Sequence, residues 1–171
     1  LRGVDLALYR PQARAAGRTL LGIDPSLFLF GCVNQNQLRK RWDLLLYAFR
    51  LFLAMTLAKD ARLYCHCPAV TSQGWDLRQL ARHWGIEDTV LFAHNIPAPS
   101  GYPEEAMPLV YSALDAQVSA SQGEGFGLTA LEGMACGGLN GMGAFSTSPG
   151  DRPSKLRASS ASIMPLSMPS P

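Results

Sequence analysis

Between Leu27 and Cys136 the chain alternates short strand-like runs with longer helical patterns, and this rhythm restricts the fold more than any other feature. The runs Leu27 to Asn34 (LFLFGCVN), Ala61 to His66 (ARLYCH), Thr89 to Ala93 (TVLFA) and Ala116 to Ser119 (AQVS) have strand length. Helical spacing fills the intervals, over about Arg41–Lys59, Trp75–Trp84, Glu104–Leu114 and Leu128–Cys136. Apolar strands with helical crossovers suit a parallel sheet buried on both faces, because each right-handed crossover lays its helix against the sheet. The sequence therefore predicts an α/β, Rossmann-like parallel sheet with helices on both faces. In such sheets ligands bind beyond the carboxyl ends of the strands. That directs attention to the loops Asn34–Lys40, His66–Gly74, His94–Tyr102 and Ser119–Gly127, all polar or glycine-bearing.

At 171 residues and 47% hydrophobic, the chain is long enough for one domain with a core. Its formal charge of +2 comes entirely from Arg152, Lys155 and Arg157 against Asp151, since the remaining twelve bases and twelve acids balance. No nucleic-acid footprint is visible in a neutral folded part, and no nucleic-acid partner is expected. Leu44 to Ala58 is the most apolar stretch, but Arg50 interrupts it and it falls short of the roughly 20 residues that span a bilayer, so no transmembrane span is expected. The four cysteines lack the spacing of a disulfide framework or a zinc site, which favours a reducing compartment. His66 between Cys65 and Cys67 suggests a metal only superficially, because successive strand residues point to opposite faces. From Gly138 onward the chain is dense in Ser, Pro and Gly without periodicity, which predicts a disordered tail over 138–171.

The chemistry concentrates in SQGEGFGLTALEGMACG, where a strand ends at Ser119, glycines fall at 123, 125 and 127, and a helix starts near Leu128. Such a turn offers free amides to an anion. Glu124 lies in the turn. Glu132 lies on the second turn of the helix, about 40° around it from Leu128, on a side shared with Leu131 and Ala135, where a carboxylate needs a partner. A ligand hydroxyl is one such partner. The plainer alternative makes Glu124 a helix-start acid favoured by the dipole and Glu132 a half-buried, salt-bridged residue. Arg39, Lys40 and Arg41 precede a helix, where cations oppose the dipole, so the alternatives are a solvated helix start and an anion contact.

The string EGFGLTALE followed by GMACG resembles the E-x7-E signature of glycosyltransferase family four, retaining enzymes of the GT-B fold, usually written EGFGL-x-x-LEAMACG-x-PV. The resemblance covers residues 1 to 137. GVDLALYRP looks like that family's interdomain linker, ARLYCHC like its second strand and GIEDTVLFAHNI like its lgl-x-d-x-V-x-F segment. It implies the donor-binding half of a GT-B enzyme, with Glu124 as the catalytic-site acid touching the transferred sugar. Gly125, Phe126, Gly127 and Leu128 would meet sugar and phosphate through their amides, and Glu132 the ribose hydroxyls. NQNQLRKRW resembles the family's basic loop, R-N-Q-P-R-K, placing Arg39 and Lys40 on the diphosphate of a nucleotide-sugar donor, where they would stabilise the departing charge. Gln35 and Leu38 depart from that pattern, leaving one cationic contact unmatched.

No Asp-x-Asp occurs in the sequence, so the resemblance implies metal-independent transfer with no cofactor and no metal. It further implies 1–25 as interdomain linker and lead-in, 26–137 as a nucleotide-sugar-binding domain, and 138–171 as tail. On this reading the acceptor-binding domain would precede Leu1, and the run Gly137 to Asn140 stands where the family continues Pro-Val-Ile. The sheet is then expected to lose a strand, and the chain alone not to turn over. The acceptor, whether sugar, lipid or protein, is unspecified, and the expected location is the cytoplasm, with any peripheral membrane contact left to the missing domain. A non-catalytic nucleotide-binding remnant or interaction module is the alternative. A dinucleotide-dependent oxidoreductase fits less well, because no G-x-G-x-x-G follows the first strand. His94, at the end of the third strand, is not assigned to the site.

Overall fold

A computed structural model describes residues 3–93 and 102–142, with side chains to residue 139. Helix α1 (Arg14–Leu21) precedes strand β1 (Phe28–Val33), a 3-10 turn (Leu38–Lys40) and α2 (Trp42–Thr56). Then come β2 (Ala61–His66), α3 (Leu77–Trp84), β3 (Val90–Phe92), α4 (Met107–Ala113), β4 (Ala116–Ser119), α5 (Leu128–Ala135) and β5 (Leu139–Met142). The five strands form one parallel sheet in the order β3-β2-β1-β4-β5. This is the Rossmann-like α/β arrangement expected from the sequence.

Strand alternation divides the core into two clusters. Cys32, Leu63, Cys65 and Cys67 join α2 and α3 in one, while Leu29, Val33 and Tyr64 join α4 and Tyr9 in the other. Helix α3 shows how sequence sets such a layer: Leu77, Leu80, Ala81 and Trp84 recur at helical spacing and are all buried. Asp76 caps its start by accepting from the Gln79 amide at 2.9 Å, and Gly85, at φ 64°, closes its end. The long apolar stretch is α2, which buries Trp42, Leu45, Leu46 and Phe49. Phe30 of β1 packs edge-on against Phe52, with ring centroids 5.1 Å apart. Among the described residues no helix is long and apolar enough to cross a membrane.

Two elements differ from expectation. Helix α1 forms inside the expected lead-in, where no apolar stripe announces it, since its buried residues are Gly17 and Arg18. Arg18 is 1% exposed; it bonds the Ala113 carbonyl at 2.6 Å and Asp115 at 2.7 Å, and Asp115 in turn accepts from the Leu29 amide at 2.7 Å. Strand β5 forms where the sheet was expected to stop. Leu139 to Met142 pairs in parallel with all of β4, because ladder bonds need only backbone groups and do not depend on side-chain pattern. Residues 143–171 lie outside the described residues.

Candidate functional site

From β1 the chain crosses to β2 on one side, and it returns after β3 to place β4 on the other side of β1. The carboxyl ends of β1 and β4 therefore flank the point where strand order reverses, which is where such sheets open a crevice. The loops leaving these two strands carry most of the candidate residues. A narrow cleft between them is lined by Val33, Gln117, Ser119, Glu124, Gly127 and Ala130 among others.

The loop after β1 is shaped by Asn36, which is 2% exposed. Its side-chain amide donates to the Trp75 carbonyl at 2.7 Å and its oxygen accepts from the Trp75 amide at 3.0 Å. Gly74 sits so close that a Cβ there would meet the Asn36 backbone at 2.4 Å. Trp42 then bonds the Gln35 carbonyl at 3.0 Å, and Arg41, at φ 50°, turns the chain into α2 while pairing with Asp43. Of the three cations before α2, this leaves Arg39 and Lys40 facing the glycine loop.

Those two residues fasten the loop that follows β4. The Gln122 amide donates to the Arg39 carbonyl at 3.0 Å, and the Arg39 guanidinium donates to the Gly123 carbonyl at 3.1 Å. Lys40 Nζ lies 2.7 Å from both Glu124 oxygens, and Asn34 Nδ2 donates to Oε1 at 3.3 Å. The Lys40 side chain is 6% exposed and that of Glu124 23%, so this is a largely buried ion pair. Burial alone would raise the Glu124 pKa, but hydrogen bonds from Lys40, Asn34 and Ser121 and the charge of Lys40 outweigh it, holding the carboxyl below its ordinary range. It is ionised at neutral pH. Beyond it Gly125 and Phe126 are exposed, and Gly127 takes φ 70°, a conformation that favours glycine, immediately before α5 begins at Leu128.

Glu132 stands apart from this pair. On α5 it accepts a 2.5 Å hydrogen bond from the hydroxyl of Tyr111 on α4, and it does not line the cleft. The partner that its position demanded is thus a tyrosine. Sequence reasoning missed both Asn34 and Tyr111: a lone asparagine after a strand and a helical tyrosine carry no signal of their own. His66 bonds the Tyr64 hydroxyl through Nδ1 at 3.0 Å, and burial pushes its pKa down to about 4, so it is neutral. Cys65 and Cys67 lie in the core cluster on the α2 and α3 side, whereas Tyr64, the partner of His66, belongs to the other cluster. His94 and most of the loop after β3 lie outside the described residues.

A family model described as glycosyl transferases group 1 matches residues 25–139, which include both strands of the crevice, the basic turn and the two glutamates. The chain belongs to this family. Curated relatives of this group 1 glycosyltransferase chain include a D-inositol 3-phosphate glycosyltransferase from Geodermatophilus obscurus, 36% identical over 140 residues that make up 79% of this chain and 30% of the relative. Another, with the same description, from Thermobispora bispora, is 35% identical over 142 residues, 79% of this chain and 31% of the relative. The chain thus spans about 30% of the length of these relatives.

Solved structures of similar fold include sucrose-phosphate synthase from Thermosynechococcus elongatus (TM-score 0.64, 24% identity, 82% of this chain and 33% of that one). The C-terminal domain of a glycosyl transferase group 1 family protein from Francisella tularensis aligns over 85% of this chain and 74% of that one, with TM-score 0.64 and 24% identity. The Anabaena protein HepE in complex with UDP-glucose aligns over 82% and 36%, with TM-score 0.62 and 21% identity. These neighbours bear out the Rossmann-like α/β fold that GT-B glycosyltransferases share.

Proposed function

We propose that this chain is the donor-binding part of a retaining glycosyltransferase that takes its sugar from a nucleotide-sugar donor. The observation that carries the reading is the Lys40–Glu124 pair, held by Asn34 and closed over by Arg39 at the switch point of the sheet. A cation and an ionised carboxylate in contact there suit a ligand whose anionic diphosphate and hydroxyl-rich sugar are joined by one bond. Arg39, Lys40 and the amides from Gly125 to Leu128 would meet the diphosphate as charge develops on it, without a metal, in a site that excludes part of the water. Glu124 would accept from hydroxyls of the transferred sugar, and Glu132 from the ribose. Retention rests on the resemblance of the Glu124–Glu132 spacing to the family's signature. The UDP-glucose bound to the HepE neighbour supports a nucleotide sugar as the ligand class. The chain would supply the donor side of the reaction only, leaving the acceptor unspecified.

Calorimetric titration with UDP, GDP and ADP, and with their glucose conjugates, tests the reading. We expect saturable binding of at least one pair, lost about tenfold for both members in Arg39→Ala, as removal of one charged hydrogen-bond donor predicts. Glu124→Gln should weaken the nucleotide sugar more than the bare diphosphate. Equal losses for both ligands in both variants would overturn the assigned roles. No saturable binding by the folded chain would favour a remnant or interaction module, a reading that the departures at Gln35 and Leu38 keep in play.

A further inference from the structure

Glu132 is half-buried on α5, and what fixes it is visible residue by residue. Its Oε2 accepts from the Tyr111 hydroxyl, while Oε1 has no partner among the described residues. Tyr111 is 1% exposed, and its ring packs 6.2 Å from that of Tyr9, itself buried. Burial first, then the bond to Glu132, push the Tyr111 pKa far above its ordinary range, so the hydroxyl remains a donor wherever the fold persists. The neighbouring Gly133 allows α5 to come this close: a Cβ there would meet Gln117 Oε1 at 1.8 Å and the Tyr111 ring at 3.4 Å. Gln117 Nε2 in turn bonds the Thr129 carbonyl at 3.0 Å, which sets the height of α5 over β4.

We propose that Tyr111 is a positioning residue for donor binding, whose hydroxyl clamps one oxygen of Glu132 so that the other is presented to the ribose hydroxyls of the nucleotide. The inference rests on the reading of Glu132 given under the proposed function, and it adds the group that holds that carboxylate in one rotamer. A free glutamate side chain has several rotamers to lose on binding; one tied to a buried phenol has already lost them. The clamp also satisfies one oxygen of Glu132 without a cation, since a phenol donates to a carboxylate without neutralising it.

The test compares the best-binding nucleoside diphosphate among UDP, GDP and ADP with its 2′,3′-dideoxy analogue, on the full chain and on Tyr111→Phe. The hydroxyl-dependent advantage of the natural nucleotide should fall about tenfold in Tyr111→Phe, with the dideoxy ligand changed less than twofold, the scale of one hydrogen bond to a charged group. In a Glu132→Ala background Tyr111→Phe should have no further effect on the ratio. Equal loss for both ligands would mark Tyr111 as structural only, and an unchanged ratio would overturn the clamp. Should Tyr111→Phe fail to fold, para-fluorophenylalanine at the same position keeps the ring and its bulk without a donor, and the same ratio decides. Failure of the unaltered chain to bind either ligand would instead sink the donor reading itself, and this inference with it.

Discussion

Lys40 and Glu124 depend on each other, and pH separates their contribution from the rest of the fold. With its pKa held below the ordinary 4.5, Glu124 adds stability that is complete above that value and is lost as pH falls through the depressed one. Glu124→Gln leaves Lys40 buried without its counter-charge, so the variant should melt lower than the parent from pH 6 to 8. The gap should close as pH falls through the depressed value, where the parent carboxyl also takes up its proton. Thermal melts of the two proteins across that range check this, and a gap that stays constant into acid would refute the coupling. The residues of this pair were legible because their types and spacing carry chemistry. Their contact with each other was not, since 84 positions of sequence separate them and the fold alone brings them together. Asn34 and Tyr111 were invisible for a related reason: each acts only through a glutamate that the fold brings to it.

Elements whose pattern is apolar were read correctly from the sequence, β2 and β4 to the residue, while those held by other means were missed. Helix α1 is the clearest case. Its contact with α4 depends on Gly17, where a Cβ would lie 2.3 Å from the Leu109 carbonyl and 3.0 Å from the Ala113 Cβ. Backbone cannot move aside cheaply, so Gly17→Ala should destabilise the chain by about 1–3 kcal/mol despite alanine's better helix propensity. A stability equal to or above the parent in urea denaturation would show that α1 docks more loosely than its geometry indicates. Strand β5 was missed because LNGM has no alternation to read, and its place is set by the ladder that β4 offers. Helix α2, by contrast, combines a legible apolar face with a start that is not legible, since Arg41 enters it from a left-handed conformation.

Across the whole molecule, Asp115 ties the lead-in to the sheet. It receives Arg18 and Arg14 from α1 and the Leu29 amide from β1, and it lies between α4 and β4. Asp115→Ala would strand the buried Arg18 and should cost about 3–5 kcal/mol, whereas Arg14→Ala, at an exposed partner, should cost about 1 kcal/mol or less. Chemical denaturation of both variants measures the contrast, and comparable losses would contradict the weight placed on Arg18. The same strand order that opens the crevice also governs when it can exist. On emerging from a ribosome, β1 finds β2 early, but its other neighbour arrives only with the segment around Asp115, 86 residues after Leu29. Contacts that distant are slow to close, so β1 spends the interval with one edge unpaired. The two loops of the candidate site meet only once β4 is in place, and until then the growing chain has part of its sheet but no crevice.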